Sequence, residues 1–243
     1  MRATLDHMRS MVRNDPRQYD ELADQWWRPG GGFEMLHWLA AARAALIPPA
    51  GRPGAVLVDA GCGGGLLAPH VDGKGYRHVG VDLRREGLRQ AAEHGVRPVN
   101  GDVTALPIAT GAADVVAAGE ILEHVTDLPA TVAELSRVLR PGGLLVLDTV
   151  NDNALSRFIT VTAGEALGFA PPHLHDPSLF VRPSRLIAEF ARHGVRVTVR
   201  GARPTMTGLF RWRVLGRAGG RIVPSGLTTV LYQGTGRKEG ESS

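Results

Sequence analysis

Five short apolar runs separated by segments of helical period constrain this chain more than any other feature. Between residues 55 and 150 the runs AVLVDA, RHVGVDL, VRPVNGD, AADVVAAGE and LLVLDTV read as strands. The segment between the last two opens on Asp127, a helix cap, and carries Leu128, Val132, Leu135 and Leu139 at helical spacing before Pro141, Gly142 and Gly143 stop it. Strands alternating with crossover helices predict an α/β fold: a mostly parallel sheet with helices on both faces. Residues 14–47 read as two helices ahead of that sheet, and 52–150 as its core. Residues 151–182 form an amphipathic insertion broken by Pro171 and Pro172, read as a helical lid. A helix from Pro183 to His193 then leads to VRVTVRGA and GLTTVLYQGTG, the two final strands of a part ending at residue 236. The polar stretch 237–243 reads as a disordered tail. At 243 residues, with no repeat and no low-complexity linker, 1–243 is expected to be one domain.

Composition narrows the setting. Cys62 is the only cysteine, so no internal disulfide can form, and no charged start followed by an apolar signal core is read; a reducing cytoplasm fits. No apolar run approaches the roughly 20 residues that span a bilayer, although attachment to a membrane surface stays open. The only lysines are Lys74 and Lys238, and the net charge is +4. That balance is too small to argue for nucleic acid. The arginine-rich FRWRVLGRAGGR, Phe210 to Arg221, is equally suited to a membrane surface or an acidic ligand.

The glycine turn VDAGCGGG, Val58 to Gly65, lies where α/β sheets bind ligands, at the carboxyl end of a strand. A dinucleotide fingerprint needs glycine or alanine three residues after its second glycine. Counting from Gly61 and Gly63, Leu66 stands there, which weakens that reading. Asp59 beside the turn would repel a pyrophosphate but suits an ammonium group or, through water, a sulfonium. S-adenosylmethionine carries both cations. Asp82 ends the second strand, where a carboxylate takes ribose hydroxyls, and Asp102 ends the third, where it can accept from an adenine amino group. The alternative is that these aspartates only cap the helices that follow.

With these tips, GEILEHV, RVLRPGG and a late antiparallel strand pair, the chain resembles class I S-adenosylmethionine-dependent methyltransferases. YDELADQWW, GGFEMLHWLAAARAALI, VDAGCGGGLLAPH, GEILEHV and HLHDPSLFVRPSRL follow in the order seen in the ubiquinone-biosynthesis O-methyltransferases, which methylate phenolic oxygens of polyprenylated catechols. The likeness runs from about residue 14 to 235. It implies a Rossmann-like seven-stranded sheet with an antiparallel final strand and a lid insertion. It also implies a cofactor site of Arg43, Asp59, Gly61, Cys62, Gly63, Asp82, Leu83, Asp102, Val103, Gly119 and Glu120, with Arg43 meeting the cofactor carboxylate. Trp38, Leu39, Ala40 and Ala41 after His37 depart from the family's arginine, apolar residue, asparagine and proline, a difference that bears on substrate identity.

Glu120, Glu123 and His124 stand at i, i+3 and i+4, so on a helix they would face one way and form a divalent-metal site. The resembled family binds magnesium through this stretch. The metal-free alternative has the glutamate bordering the cofactor and the histidine packing. Without metal, His124 is the first candidate base and His175 the second, because imidazole titrates near neutral pH. The lid carries Leu155, Phe158, Ile159, Val161, Leu167 and Phe169, and reads either as a cover over the site or as a cover that also dips into an anionic membrane. The expected function is methylation of a phenol or catechol hydroxyl on a quinone precursor or related small aromatic, with or without a prenyl tail. The alternatives are O- or C-methylation of a soluble natural-product phenol, or a non-catalytic S-adenosylmethionine- or lipid-binding protein.

Overall fold

The computed structural model describes residues 10–240. Eight strands, β1 (Val56–Ala60), β2 (Arg77–Asp82), β3 (Arg97–Asn100), β4 (Ala113–Gly119), β5 (Leu139–Val150), β6 (Val195–Pro204), β7 (Ile222–Ser225) and β8 (Leu231–Lys238), form one sheet in the order β3-β2-β1-β4-β5-β8-β6-β7. The first five are parallel, and β8 lies antiparallel between β5 and β6. This is the expected α/β arrangement with one addition, the short β7 on the outer edge of β6. Its Pro224 is tolerated because an edge strand leaves one side without ladder bonds.

The central strands read as continuous apolar runs because both their faces are covered. Val58, Val116, Ala118, Leu145 and Leu147 pack on one side against α5 (Leu128–Val138) and α6 (Pro183–Arg192), through Leu135 and Phe190 among others. Leu57, Val115, Ala117 and Val146 face the other side, against Ala44 of α2 (Glu34–Ala44) and Val71 of α3 (Ala68–Val71). Asp127 caps α5 as its sequence indicated, its side chain accepting from Ala130 N at 2.9 Å. The helix stops at Val138, three residues before the Pro-Gly-Gly stop, because Leu139 already enters β5. Pro141 to Gly143 instead sit where the β4–β5 register shifts.

Five differences from the sequence reading are local. The N-terminal part holds one turn of helix, α1 (Gln18–Glu21), a 3-10 turn over Ala23–Gln25, and then α2. Asp102 lies two residues beyond the end of β3. Arg237 and Lys238 belong to β8, not to a tail; the Lys238 ammonium donates to the carbonyls of Ser136 and Leu139 at 2.7 and 2.9 Å. Residues 241–243 lie outside the described residues. The insertion is helical over 154–166, as Ala154–Arg157, a π-helical Phe158–Ala163 and Gly164–Ala166. Another helix, α7 (Met206–Leu215), lies between β6 and β7.

Parallel registers bring the carboxyl ends of β1, β2, β4 and β5 to one edge, with Ala60 opposite Val81 and Ala118, and Gly119 opposite Asp148. Everything described below hangs from that edge. The core beneath it sets stability: Leu135→Ala, at a fully buried position, is expected to cost about 2–5 kcal/mol, read as a lower urea midpoint with an unchanged denaturant slope.

Candidate active site

The turn after β1 doubles back on β2. Gly61 N and Cys62 N both donate to Val81 O, at 2.8 and 3.1 Å. Gly63 has φ +50°, and a Cβ there would meet the Trp26 ring at 2.4 Å, so both conformation and space require glycine. The tryptophan pair explains itself here. Trp26 covers the turn, Trp27 Nε1 donates to Gly64 O at 3.0 Å, and His37 Nε2 donates to Trp26 O at 2.7 Å. Asp82 joins the turn to α4 (Arg85–Glu93): its carboxylate accepts from Gly63 N and Arg84 N, each at 2.8 Å. Asp102 accepts from Thr104 N and Oγ1 with one oxygen, at 2.8 Å each. Leu83, 51% exposed, and Val103 flank these two carboxylates on the cavity wall.

These residues line a single cavity of roughly 630 Å³. Arg43, Asp59, Gly61, Cys62, Gly63, Asp82, Leu83, Asp102, Val103, Gly119, Glu120, His124 and His175 all border it. Glu123 does not. Cys62 contributes backbone only, since its sulfur packs among Ala68, Leu88, Ala91 and Val96, and burial pushes its thiol well up. Asp59 is buried one residue inside β1, its Oδ2 3.4 Å from His78 Nε2.

The cavity floor is rich in carboxylates. Arg43, projecting from α2, donates to Asp148 Oδ1 at 2.5 Å, with the pair 8% and 0% exposed. The guanidinium lies flat against Gly119, where any Cβ would overlap Nη1 at 1.7 Å; the glycine ending β4 is what admits the arginine. Burial, with the charges of Glu123 and Asp148 added, raises Glu120 well above the usual carboxylate range, and burial pushes Glu123 up to about 7.

The expected metal trio is not assembled. Glu120 takes φ +51° and the chain continues as a turn closed by His124 N to Ile121 O at 3.0 Å, so helical i, i+3, i+4 spacing does not apply. Glu123 turns inward, where its Oε2 accepts from Thr149 Oγ1 at 2.7 Å. His124 turns the other way and has both ring nitrogens engaged, Nδ1 with Asn14 Oδ1 at 2.5 Å and Nε2 with Tyr19 OH at 3.2 Å. Among the described residues no three His, Cys, Asp or Glu side chains could hold an ion together, so Glu120, Glu123 and His124 as arranged do not fit a divalent cation.

His124 and His175 instead stack on each other, ring centroids 5.2 Å apart, and burial lowers them to about 3 and about 4. Both rings are therefore neutral at pH 7, and they are much weaker bases than the near-neutral titration that made them the candidate bases in the sequence, because burial disfavours their charged forms. Away from the floor the cavity opens beneath the lid into an apolar chamber walled by Leu36, Ile159, Leu167, Phe169, Leu174 and Leu209. The lid is fastened by Arg13, which pairs with Glu165 at 2.6 Å and donates to His175 O at 3.1 Å, and by Arg213, which donates to Leu167 O at 2.8 Å. Sequence reasoning missed Asn14, Tyr19 and Asp148, whose partners are 105 or more positions away; only Tyr19 lay in a stretch that carried the resemblance.

The chain has relatives among known proteins. The family described as Methyltransferase domain matches residues 58–147, the span from the glycine turn through β5. The ubiquinone biosynthesis O-methyltransferase of Idiomarina loihiensis is 33% identical over 198 residues, covering 76% of this chain and 82% of that protein. That of Cupriavidus pinatubonensis is 36% identical over 191 residues, covering 74% and 76%. Among solved structures, a methyltransferase of Thermotoga maritima superposes with a TM-score of 0.60 at 17% identity, covering 85% of this chain and 93% of that one. One from Mesorhizobium loti gives 0.56 at 16%, covering 81% and 96%. The structural neighbours establish the fold and the sequence relatives the lineage: the chain belongs to the ubiquinone biosynthesis O-methyltransferase family of S-adenosylmethionine-dependent methyltransferases.

Proposed function

We propose that this methyltransferase transfers the methyl group to a phenolic oxygen of an aromatic that carries an apolar tail, such as a quinone precursor. The observation that carries this reading is the continuity of the cavity, which runs from the glycine turn and the carboxylate floor past two neutral imidazoles into the apolar chamber. The turn and floor suit the cofactor: Asp82 would hold the ribose hydroxyls, Asp102, Leu83 and Val103 would border the adenine, and Arg43 would meet the amino-acid carboxylate. The acidic floor favours a ligand bearing an ammonium and a sulfonium. The chemistry needs one proton acceptor. As the phenol oxygen attacks the methyl carbon, the carbon–sulfur bond breaks with its electrons returning to sulfur, and the phenol proton passes to a neutral ring, His124 or His175. The chamber takes the tail, whose burial contributes about 25 cal/mol per Å² of apolar surface. No step uses a metal. A soluble phenol without a tail would leave the chamber unfilled, which favours the tailed acceptor.

The lid and α7 also present apolar side chains outward. Leu155 and Phe158 are 49% and 57% exposed, and Met206, Phe210 and Val214, spaced by four along α7, are 70%, 57% and 63% exposed beside Arg211 and Arg217. No helix among the described residues is long and apolar enough to cross a membrane. We read this face as the one that meets an anionic membrane from the cytoplasm. Flotation with liposomes containing anionic lipid is expected to carry the protein upward at low salt and to leave a Phe158→Ser, Phe210→Ser variant below.

Titration calorimetry tests the cofactor site. S-adenosylhomocysteine is expected to bind in the micromolar range and NAD not at all; Asp82→Ala should weaken the former roughly 100-fold, as for charge-assisted hydrogen bonds worth about 1.5–3 kcal/mol each. The neutral imidazoles have a separate signature. A ring lowered to about 4 when folded but titrating near 6.5 when unfolded binds protons only in the unfolded chain between those values, so its stabilisation is complete above 6.5 and lost as pH falls toward 4. Glu123, raised to about 7, acts in the opposite sense between its unfolded value and 7. The clean comparison is with His175→Asn, which leaves Glu123 in place. Its melting temperature should fall less than that of the wild type between pH 6.5 and 4.5.

A further inference from the structure

Trp38, one of the residues that departs from the family's pattern, does not border the cavity but holds an element that does. Its side chain is buried, and its Nε1 donates to Glu34 Oε1 at 2.8 Å. The same carboxylate oxygen accepts from Gly219 N at 3.0 Å, in the loop that follows α7. Gly220 lies against the indole, where any Cβ would meet it at 2.3 Å. Within α7, Trp212 meets Trp38 edge-on, with ring centroids 5.6 Å apart, and lies against Phe169 of the lid at 5.7 Å. Its Nε1 sits 3.2 Å from the carbonyl oxygens of both Gly30 and Gly31. The succession Trp38, Trp212, Phe169 therefore joins α2, α7 and the lid.

That joint fixes one wall of the apolar chamber. Leu209 and Phe169 both line the chamber, and both pack in the cluster that contains Trp38 and Trp212. Arg213, one turn along α7 from Leu209, lies over the Phe169 ring at 5.5 Å and donates to Leu167 O at 2.8 Å. The chamber is not sealed beside this wall. Ile159 and Leu167 line it and are nevertheless 40% and 60% exposed, so it opens to solvent next to them.

We propose that α7 is the acceptor-specificity element of this methyltransferase. Leu209 is the wall against which an apolar tail lies, and Trp38 is a positioning residue that holds α7 in place through Trp212. A tail longer than the chamber leaves beside Ile159 and Leu167, so the site sets a minimum tail length and no maximum. The proposal rests on the reading of a tailed phenol as the acceptor. Its physical basis is buried area. Each methylene that enters the chamber leaves water and tightens binding, whereas a methylene beyond the opening stays in water and neither helps nor hinders. A sealed chamber would behave differently, because a longer tail would have to displace close-packed side chains.

The test is calorimetry on the full chain in the presence of S-adenosylhomocysteine, with catechols that carry no tail or linear alkyl tails of increasing length, kept below their micelle concentrations. Affinity is expected to rise about 100-fold from the untailed catechol to a tail that fills the chamber, and then to stay level within about 3-fold. Leu209→Trp, which narrows the chamber, should cut the ratio of tailed to untailed affinity about 10-fold. Trp38→Leu should lower the same ratio by freeing α7, and Trp38→Phe, which keeps a ring for Trp212, should recover most of the loss. Retained S-adenosylhomocysteine binding shows that a variant folds, and the wild-type tail series decides even where a variant does not. A sharp fall in affinity beyond some tail length, an affinity that ignores tail length, or an unchanged ratio in both Leu209→Trp and Trp38→Leu overturns the proposal. Methylation of the same catechols is a separate measurement: tail-dependent binding without transfer sinks the acceptor reading and leaves the role of α7 standing.

Discussion

One guanidinium sets the terms for the whole cavity floor. Arg43 is the buried cation facing Asp148, with Glu120, Glu123 and Asp59 close enough for their charges to matter. Burying charge is costly unless it is paired, and removing one member of such a pair typically costs about 3–5 kcal/mol. The consequence runs through the fold. α2 must lie where its arginine reaches β5, β4 must end in glycine so that the guanidinium can pass, and the remaining carboxylates must hold protons or meet a cationic ligand. Burial accordingly raises Glu120 and Glu123 toward their protonated forms.

The N-terminal segment is the second constraint, because it closes the site that the sheet only opens. Trp26 and Trp27 clasp the glycine turn, Asp20 pairs with Arg84 beside Asp82, Tyr19 and Asn14 engage His124, and Arg13 reaches the lid. Cofactor turn, candidate base and lid thus share one strap between residues 13 and 27. A change in the strap alters all three at once.

The sheet was legible because buried parallel strands must be apolar on both faces, which leaves runs such as VVAAG that few other structures accommodate. β7 was not, since four residues at an edge with a proline carry no periodic signal. The glycines and the carboxylates near strand ends that the sequence singled out, Asp59, Asp82 and Asp102, all border one cavity. The metal trio was misread because i, i+3, i+4 spacing brings side chains together only on a helix, and Glu120 starts a turn in the left-handed region. Asn14 and Asp148 were illegible for a different reason. Their roles are defined by partners more than 100 positions away, and neither residue type in isolation distinguishes such a contact from a surface turn or a strand-end cap.

Floor and lid differ in how firmly they are held, and the difference matches their tasks. The floor contact is a buried pair at 8% and 0% exposure, whereas the Arg13–Glu165 pair that fastens the lid is 35% and 15% exposed. Solvated pairs of that kind contribute about 0–1 kcal/mol. The π-helical stretch Phe158–Ala163 buries none of its residues fully, so its packing adds little resistance. Opening the lid therefore breaks a few weak contacts and leaves Arg43, Asp148 and the glycine turn undisturbed. The strap touches both parts, because Arg13, which pairs with Glu165 of the lid, lies next to Asn14, whose amide bonds to the His124 ring.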